Sequence, residues 1–305
     1  MSALLPGDGT KGDLAAAYRR LATVCRRHGK FAHAIAAFRQ AAALDPDDVL
    51  TQRGLAACLA SNGELDEAAQ ILREAIARHG SSPALEYELA ALTGAGSPAA
   101  TPRSYVAAAF DAYAARYDGH VVEQLKYRVP QLLYDAVAAV VGAQADARDI
   151  LDLGCGTGLC GAAFKPLAHN LTGVDLSPRM IERAGRRGIY DRLVLDDLGA
   201  MLAGEREAFD LVLAADVLIY LGALGDAFRA VARALRPAGL FAFSVEAHDG
   251  GGFALRPTRR YAHGLAYLEQ VAAASGLAVL RVTTETLRVQ RGADVRGHVA
   301  VLRGA

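Results

Sequence analysis

Apolar residues follow two different periods along this chain, and the change between them divides it. From residue 13 to residue 92 they recur every three to four positions, the spacing of one face of an amphipathic helix. The pattern predicts helices near 13–28, 31–44, 48–61 and 65–78, and a fifth from Ser82 to Leu92. Within this stretch Gly29, Ala34, Phe38 and Ala41 return as Gly63, Ala68, Leu72 and Ala75, each 34 positions later. Thr93 to Pro102 is rich in Gly, Ala, Pro and Thr and reads as a linker. Beyond it, short β-branched runs alternate with helical stretches, the order of a doubly wound, mostly parallel sheet. Val106, Phe110, Tyr113 and Tyr117 lie at helical spacing, and Leu125–Val141 and Asp226–Leu235 are amphipathic. Strands are expected at Ile150–Leu153, Leu171–Asp175, Leu193–Leu195, from Phe209, and at Phe241–Val245. Tyr267–Ala274 is a last helix, with Leu277–Val282 and His298–Leu302 as closing strands.

The period of 34 residues is that of tetratricopeptide (TPR) repeats. Tyr18, Leu21, Ala22 and Pro46 fill the corresponding places of the first copy, and Leu55 and Ala56 those of the second. The second copy departs at Gln52 and Gly80, with Pro83 late. Two and a half repeats barely bury a core alone. Stacked hairpins make a groove that can hold a peptide partner, or they serve self-association or support. The division expected is a repeat domain over 1–95, a linker over 96–103 and a second domain over 104–305.

The second domain opens on Asp149-Ile-Leu-Asp-Leu-Gly-Cys-Gly-Thr-Gly158, an apolar strand running into a glycine turn. Bare backbone can approach a ligand there, and the helix that follows near Leu159 turns its free N–H groups toward an anionic group. A dinucleotide site wants G-x-G-x-x-G, but Leu159 stands where the third glycine belongs. The spacing present, with Asp152 two residues before Gly154, Cys155 as an intervening residue and Gly156 after it, resembles motif I of class I S-adenosylmethionine (SAM) methyltransferases. Asp175 ends the second strand 21 positions after Gly154, the distance at which a carboxylate accepts both ribose hydroxyls.

With the preceding repeats, the chain resembles the bacterial TPR-containing methyltransferases. That resemblance implies SAM as cofactor and a lid formed by Tyr113, Tyr117 and Asp118. It also implies contacts from Leu176, an adenine contact from the Asp196-Asp197 pair that favours Asp197, and a place for Asp216 at the end of the fourth strand. The run Ala234-Leu-Arg-Pro-Ala-Gly-Leu240 resembles the turn after motif IV.

Charge and composition narrow the partners. The 33 basic and 33 acidic residues cancel, which leaves no basic footprint for nucleic acid. Hydrophobic residues make up 52% of the chain, yet no run reaches the roughly 20 apolar residues of a membrane span. Met1–Thr10 lacks the pattern of a secretory leader, and the four cysteines have no C-x-x-C spacing. A cytoplasmic protein with reduced thiols and no metal site is expected. The loop after strand four lacks N-P-P-Y, which disfavours planar amide acceptors. Tyr220, Glu246, His248, Arg260, Tyr261 and His263 are the candidates for the acceptor side, and Arg256–His263 could hold an acidic substrate through guanidinium pairs. Three functions stay open: methyl transfer to a small-molecule or protein acceptor, a non-catalytic SAM-binding or TPR scaffold, and NAD-dependent oxidoreduction.

Overall fold

A computed structural model describes residues 10–96, 98–142, 148–290 and 292–305. Ser97 of the expected linker and residues 1–9 of the leader reading lie outside them. The chain forms two compact units, Met1–Ser97 with Arg256–Arg259, and Pro98–Leu255 with Arg260–Ala305.

The first unit is helical: α1 (Lys11–Arg27), α2 (Phe31–Leu44), α3 (Val49–Ser61), α4 (Leu65–His79) and α5 (Pro83–Thr93). Side-chain caps start α1, α3 and α5, with Thr10 accepting the Asp13 N–H in α1. Asp48 accepts the Leu50 N–H, and Ser82 accepts the Leu85 N–H with Pro83 in the first turn. The repeated small residues Ala34, Ala41, Ala68 and Ala75 are fully buried, which lets the helices approach closely. Phe38 fills the space over Gly54, where a Cβ would come within 2.5 Å of the ring. Arg53 ties α3 to α5 through two 3.0 Å hydrogen bonds to the buried Glu88.

The second unit begins with α6 (Arg103–Tyr113), a 3₁₀ turn, the single turn α7 (Tyr117–Gly119) and a π-helical turn at His120–Gln124. Its sheet comprises β1 (Arg148–Leu153), β2 (Ala168–Asp175), β3 (Arg192–Leu195), β4 (Phe209–Ala214), β5 (Leu235–Ala247), β6 (Phe253–Leu255), β7 (Tyr261–His263), β8 (Ala278–Gln290) and β9 (Ala293–Arg303). The order is β3-β2-β1-β4-β5-β7-β6, with β9 antiparallel to both β5 and β8. Helices α8 (Val129–Val141), α9 (Leu159–Phe164), α10 (Pro178–Arg186), α11 (Leu198–Ala203), α12 (Gly225–Ala234) and α13 (Leu265–Ala274) complete it.

The central strands read as unbroken apolar runs because both faces are covered. Leu151 and Leu153 pack with Phe228, Phe241 and Phe243 on one face, whereas Ile150 packs with Leu133, Phe164 and Leu211 on the other. Among the described residues, no helix is long and apolar enough to cross a membrane.

Several elements differ from the sequence reading. The helix expected from Leu125 starts at Val129, after Lys126 takes a positive φ of 49° and with Pro130 in the first turn. The strands expected at Phe241–Val245, Leu277–Val282 and His298–Leu302 extend to Leu235–Ala247, Ala278–Gln290 and Ala293–Arg303, because pairing with neighbouring strands, parallel at the ends of β5 and antiparallel along β8 and β9, carries them past their apolar centres. The end of the arginine-rich stretch is strand β7 rather than loop. Pro98–Thr101, read as linker, is held to the second unit: Tyr261 donates to the Pro98 carbonyl, Gly222 and Ala223 to that of Ala99, and the Thr101 N–H to that of Tyr220.

Candidate cofactor cleft

The carboxyl ends of β1, β2 and β4 meet where the strand order reverses, the place at which open α/β sheets bind ligands. A cleft lies there. Its floor is the glycine turn: Gly154, Gly156 and Gly158 have φ of 64°, 54° and 89°. At Gly154 a Cβ would sit 2.5 Å from Val217, so glycine is needed for packing. At Gly156 a Cβ would meet nothing within 4 Å and would project into free space.

Asp175 is fixed beside the turn. The Gly156 N–H donates to one of its oxygens at 2.9 Å and the Ser177 N–H to the other at 2.8 Å. Burial nevertheless raises its pKa, and those two backbone donors oppose the rise. Each oxygen retains lone pairs for a further donor. Leu176, Asp196 and Leu198 continue the wall, while Val106, Phe110 and Tyr117 line the cleft from α6 and the turn after it. Phe110 meets Tyr220 edge to face, with ring centroids 5.6 Å apart. Burial, then the nearby Asp216, raises the Tyr117 pKa, so its proton stays in place.

Several residues singled out from the sequence do not line the cleft. Asp197 caps α11 by accepting the Gly199 N–H at 2.9 Å and pairs with Arg103 at 2.8 Å. Tyr113 turns its hydroxyl to His120, and burial raises its pKa to about 12. Asp118 accepts hydrogen bonds from Thr157 and Arg187, which fastens α7 to the glycine turn. Cys155 is buried, and burial raises its thiol pKa well above the ordinary value, so it is no nucleophile.

Asp152 lies below the turn, fully buried, and accepts the Tyr190 hydroxyl at 2.6 Å. Burial raises its pKa from 3.8 to about 7. An acid whose pKa is higher in the folded state than in the unfolded one loses stability as pH rises between the two values. Asp152→Asn is therefore expected to flatten the fall of melting temperature between about pH 4 and pH 7. Parallel melting curves for the two proteins across that window would contradict an acid buried in this way.

The acceptor candidates divide. Tyr220 lines the cleft, whereas Tyr261 and His263 lie buried in β7 and His248 is off the lining. His263 Nε2 lies 2.9 Å from the Leu221 carbonyl, and burial lowers its pKa to about 4. It is a neutral structural imidazole at ordinary pH.

Arg288, on β8, escaped the sequence reading. It is almost fully buried and donates to Asp216 at 2.7 Å and, in a close contact, to Glu246. The β8–β9 register shifts between Thr286 and Arg288, leaving Leu287 as the extra residue of a bulge that re-aims the strand. Asp216 itself has a positive φ of 53°, uncommon for a non-glycine residue, and is held there by Arg288 and Ser244. An arginine in a strand whose exposure does not alternate gives no sequence signal of this pairing.

Residues 151–243 match the family model described as a methyltransferase domain, and residues 14–83 match one described as a tetratricopeptide repeat. Human methyltransferase-like protein 27 is 39% identical over 119 residues, 38% of this chain and 46% of that protein. A malonyl-[acyl-carrier protein] O-methyltransferase of Enterobacter lignolyticus is 34% identical over 144 residues, 47% of this chain and 54% of that protein. The chain thus spans about half the length of these curated relatives. Among solved structures, the 1,6-didemethyltoxoflavin-N1-methyltransferase of Burkholderia thailandensis, bound to S-adenosylhomocysteine, has a TM-score of 0.53 at 23% identity, covering 68% of this chain and 92% of that one. At that identity the likeness shows a shared fold. On these matches residues 151–243 form a methyltransferase domain with the fold of the class I S-adenosylmethionine-dependent methyltransferases, and a tetratricopeptide repeat segment precedes it.

Proposed function

We propose that the cleft binds SAM and that the protein transfers its methyl group to an acceptor entering beside Tyr220. The observation that carries this reading is the pairing of Asp175 with the Gly156 N–H. It sets a carboxylate with spare lone pairs next to a turn whose missing Cβ leaves room for a ligand. Asp175 accepts the ribose hydroxyls, Asp196 with Leu176 and Leu198 bounds the adenine, and Gly154–Gly156 lies under the amino-acid portion. Phe110, Tyr117 and Tyr220 exclude water from the reacting atoms. When bound, SAM supplies a methyl group already activated by a positively charged sulfur. The chain's work is alignment and desolvation.

Calorimetric titration tests this reading. The full-length protein is expected to bind SAM and S-adenosylhomocysteine and to ignore NAD. Binding of NAD with no SAM affinity would replace methyl transfer by hydride transfer.

The names of the relatives do not choose the acceptor atom, since one carries an O-methyl and another an N1-methyl designation. For the repeats, the reading proposed is presentation of a protein or peptide partner. Removal of residues 1–97 is then expected to leave SAM affinity in place and to lower transfer to macromolecular acceptors in a cell extract. Undiminished labelling of the same acceptors would leave the repeats a supporting role.

A further inference from the structure

Beside Tyr220, two carboxylates and two guanidiniums form a cluster whose hydrogen bonds are unevenly spent. Arg288, with a side chain 3% exposed, gives one amino group to Asp216 and the other to Glu246. Asp216 takes the Ser244 hydroxyl on its other oxygen at 3.0 Å. Both Asp216 oxygens are thus engaged, and the Arg288 Nε left over is buried and out of reach of a ligand.

Arg260 differs. Its Nη1 stands 3.6 Å from the Glu246 oxygen that Arg288 already holds, and it donates at 3.2 Å to Gln290, a neutral amide. Its side chain is 25% exposed. Burial works against its charge, but the Tyr220 phenol, Glu246 and Asp216 outweigh that and raise its pKa. Among the described residues it is the partly exposed cation of the cluster, with donors to spare, and it touches a residue that lines the cleft.

Among the described residues the lining holds no histidine or lysine to act as a base. Its titratable groups are Asp175, Asp196, Asp216 and the phenols of Tyr117 and Tyr220. Asp175 accepts a backbone donor on each oxygen and is given to the ribose in the reading above, Asp216 is held by Arg288 and Ser244, Asp196 accepts the Asp197 N–H, and Tyr117 holds its proton. A neutral hydroxyl or a protonated amine would need a base to become a nucleophile, whereas an ionised carboxylate needs none.

We infer that the acceptor is a carboxylate-bearing molecule, held by Arg260 with the Tyr220 hydroxyl and methylated on a carboxylate oxygen. This rests on the methyltransferase reading of the same cleft. One oxygen lone pair of the acceptor forms the new O–CH₃ bond as the S–CH₃ bond breaks, and the departing electron pair stays on sulfur. The sulfonium becomes a neutral thioether, the carboxylate becomes a methyl ester, and no proton moves.

Two measurements on the full-length protein test the assignment. With S-adenosylhomocysteine bound, benzoate is expected to bind more tightly than its neutral and cationic counterparts, benzamide and benzylamine. Arg260→Met should weaken benzoate by about tenfold or more, the loss of a charge-assisted contact, with S-adenosylhomocysteine affinity unchanged. Arg260→Lys should recover part of the loss, and it keeps the test open if the methionine variant folds poorly. In extract supplied with methyl-labelled SAM, mild alkali should release the label as methanol, because carboxyl methyl esters hydrolyse and methyl amines and ethers do not. Alkali-stable label, preference for benzylamine, or benzoate binding indifferent to Arg260 overturns the inference while leaving methyl transfer intact. Failure of the wild-type protein to bind S-adenosylhomocysteine instead removes the reading beneath it.

Discussion

Asp175→Ala is expected to weaken SAM binding by about a hundredfold or more. Its two oxygens are the acceptors set for the ribose diol, and each hydrogen bond to a charged group contributes roughly 1.5–3 kcal/mol. The same substitution leaves the Gly156 and Ser177 N–H groups without the acceptor they now share. The glycine turn should therefore loosen as well, and the melting temperature should fall. Asp175→Asn separates the two effects, since its amide oxygen can still accept one backbone donor. It should recover most of the melting temperature and little of the affinity. Calorimetry showing either variant within about twofold of wild type would remove Asp175 from the ribose site.

Gly156→Val is expected to abolish measurable SAM binding in a protein that still folds. A Cβ at this position meets nothing within 4 Å and points into open space, so in the free protein the side chain has room. That room is what the cofactor would fill. The folded state bears a cost, because φ is 54° and a β-branched residue is strained there, by on the order of 1–3 kcal/mol. A folded Gly156→Val protein that binds SAM normally would show that the ligand does not lie over this turn. A variant that fails to fold calls for Gly156→Ala, which is less strained and should lose affinity in the same direction.

The sequence made the fold legible where local rules and burial agree. Ser82 with Pro83, Asp48 and Ser177 each start a helix by a side-chain cap that can be read from the residue type. The central strands were visible because burial on both faces makes them continuously apolar. Antiparallel additions were harder to see. β8 has mostly exposed residues at its start, and β6 and β7 are three residues each, too short for any period to register. The placement of the glycine turn and Asp175 side by side at the strand ends was readable from their spacing. The roles of Asp197 and Tyr113 were not, since a carboxylate before a helix is equally suited to a ligand or to a cap, and only the coordinates place Arg103 beside it. His263 looked like acceptor chemistry in a loop. Three residues of pairing with β6 turn it into a core imidazole.

The bulge at Leu287 resolves a competition for space. In an uninterrupted strand, neighbouring side chains take opposite directions, so a strand at the margin of a sheet can give either its apolar residue or its charged residue to the interior. Here Leu287 sits in the apolar cluster with Val299 and Leu133, while its neighbour Arg288 reaches Asp216 and Glu246. A version of β8 one residue shorter would have to forfeit one of the two. Losing the leucine would open a void against α8, and losing the arginine would strand two carboxylates in the interior. The extra residue lets this domain keep a tight hydrocarbon interior and a buried ionic cluster within one segment of chain.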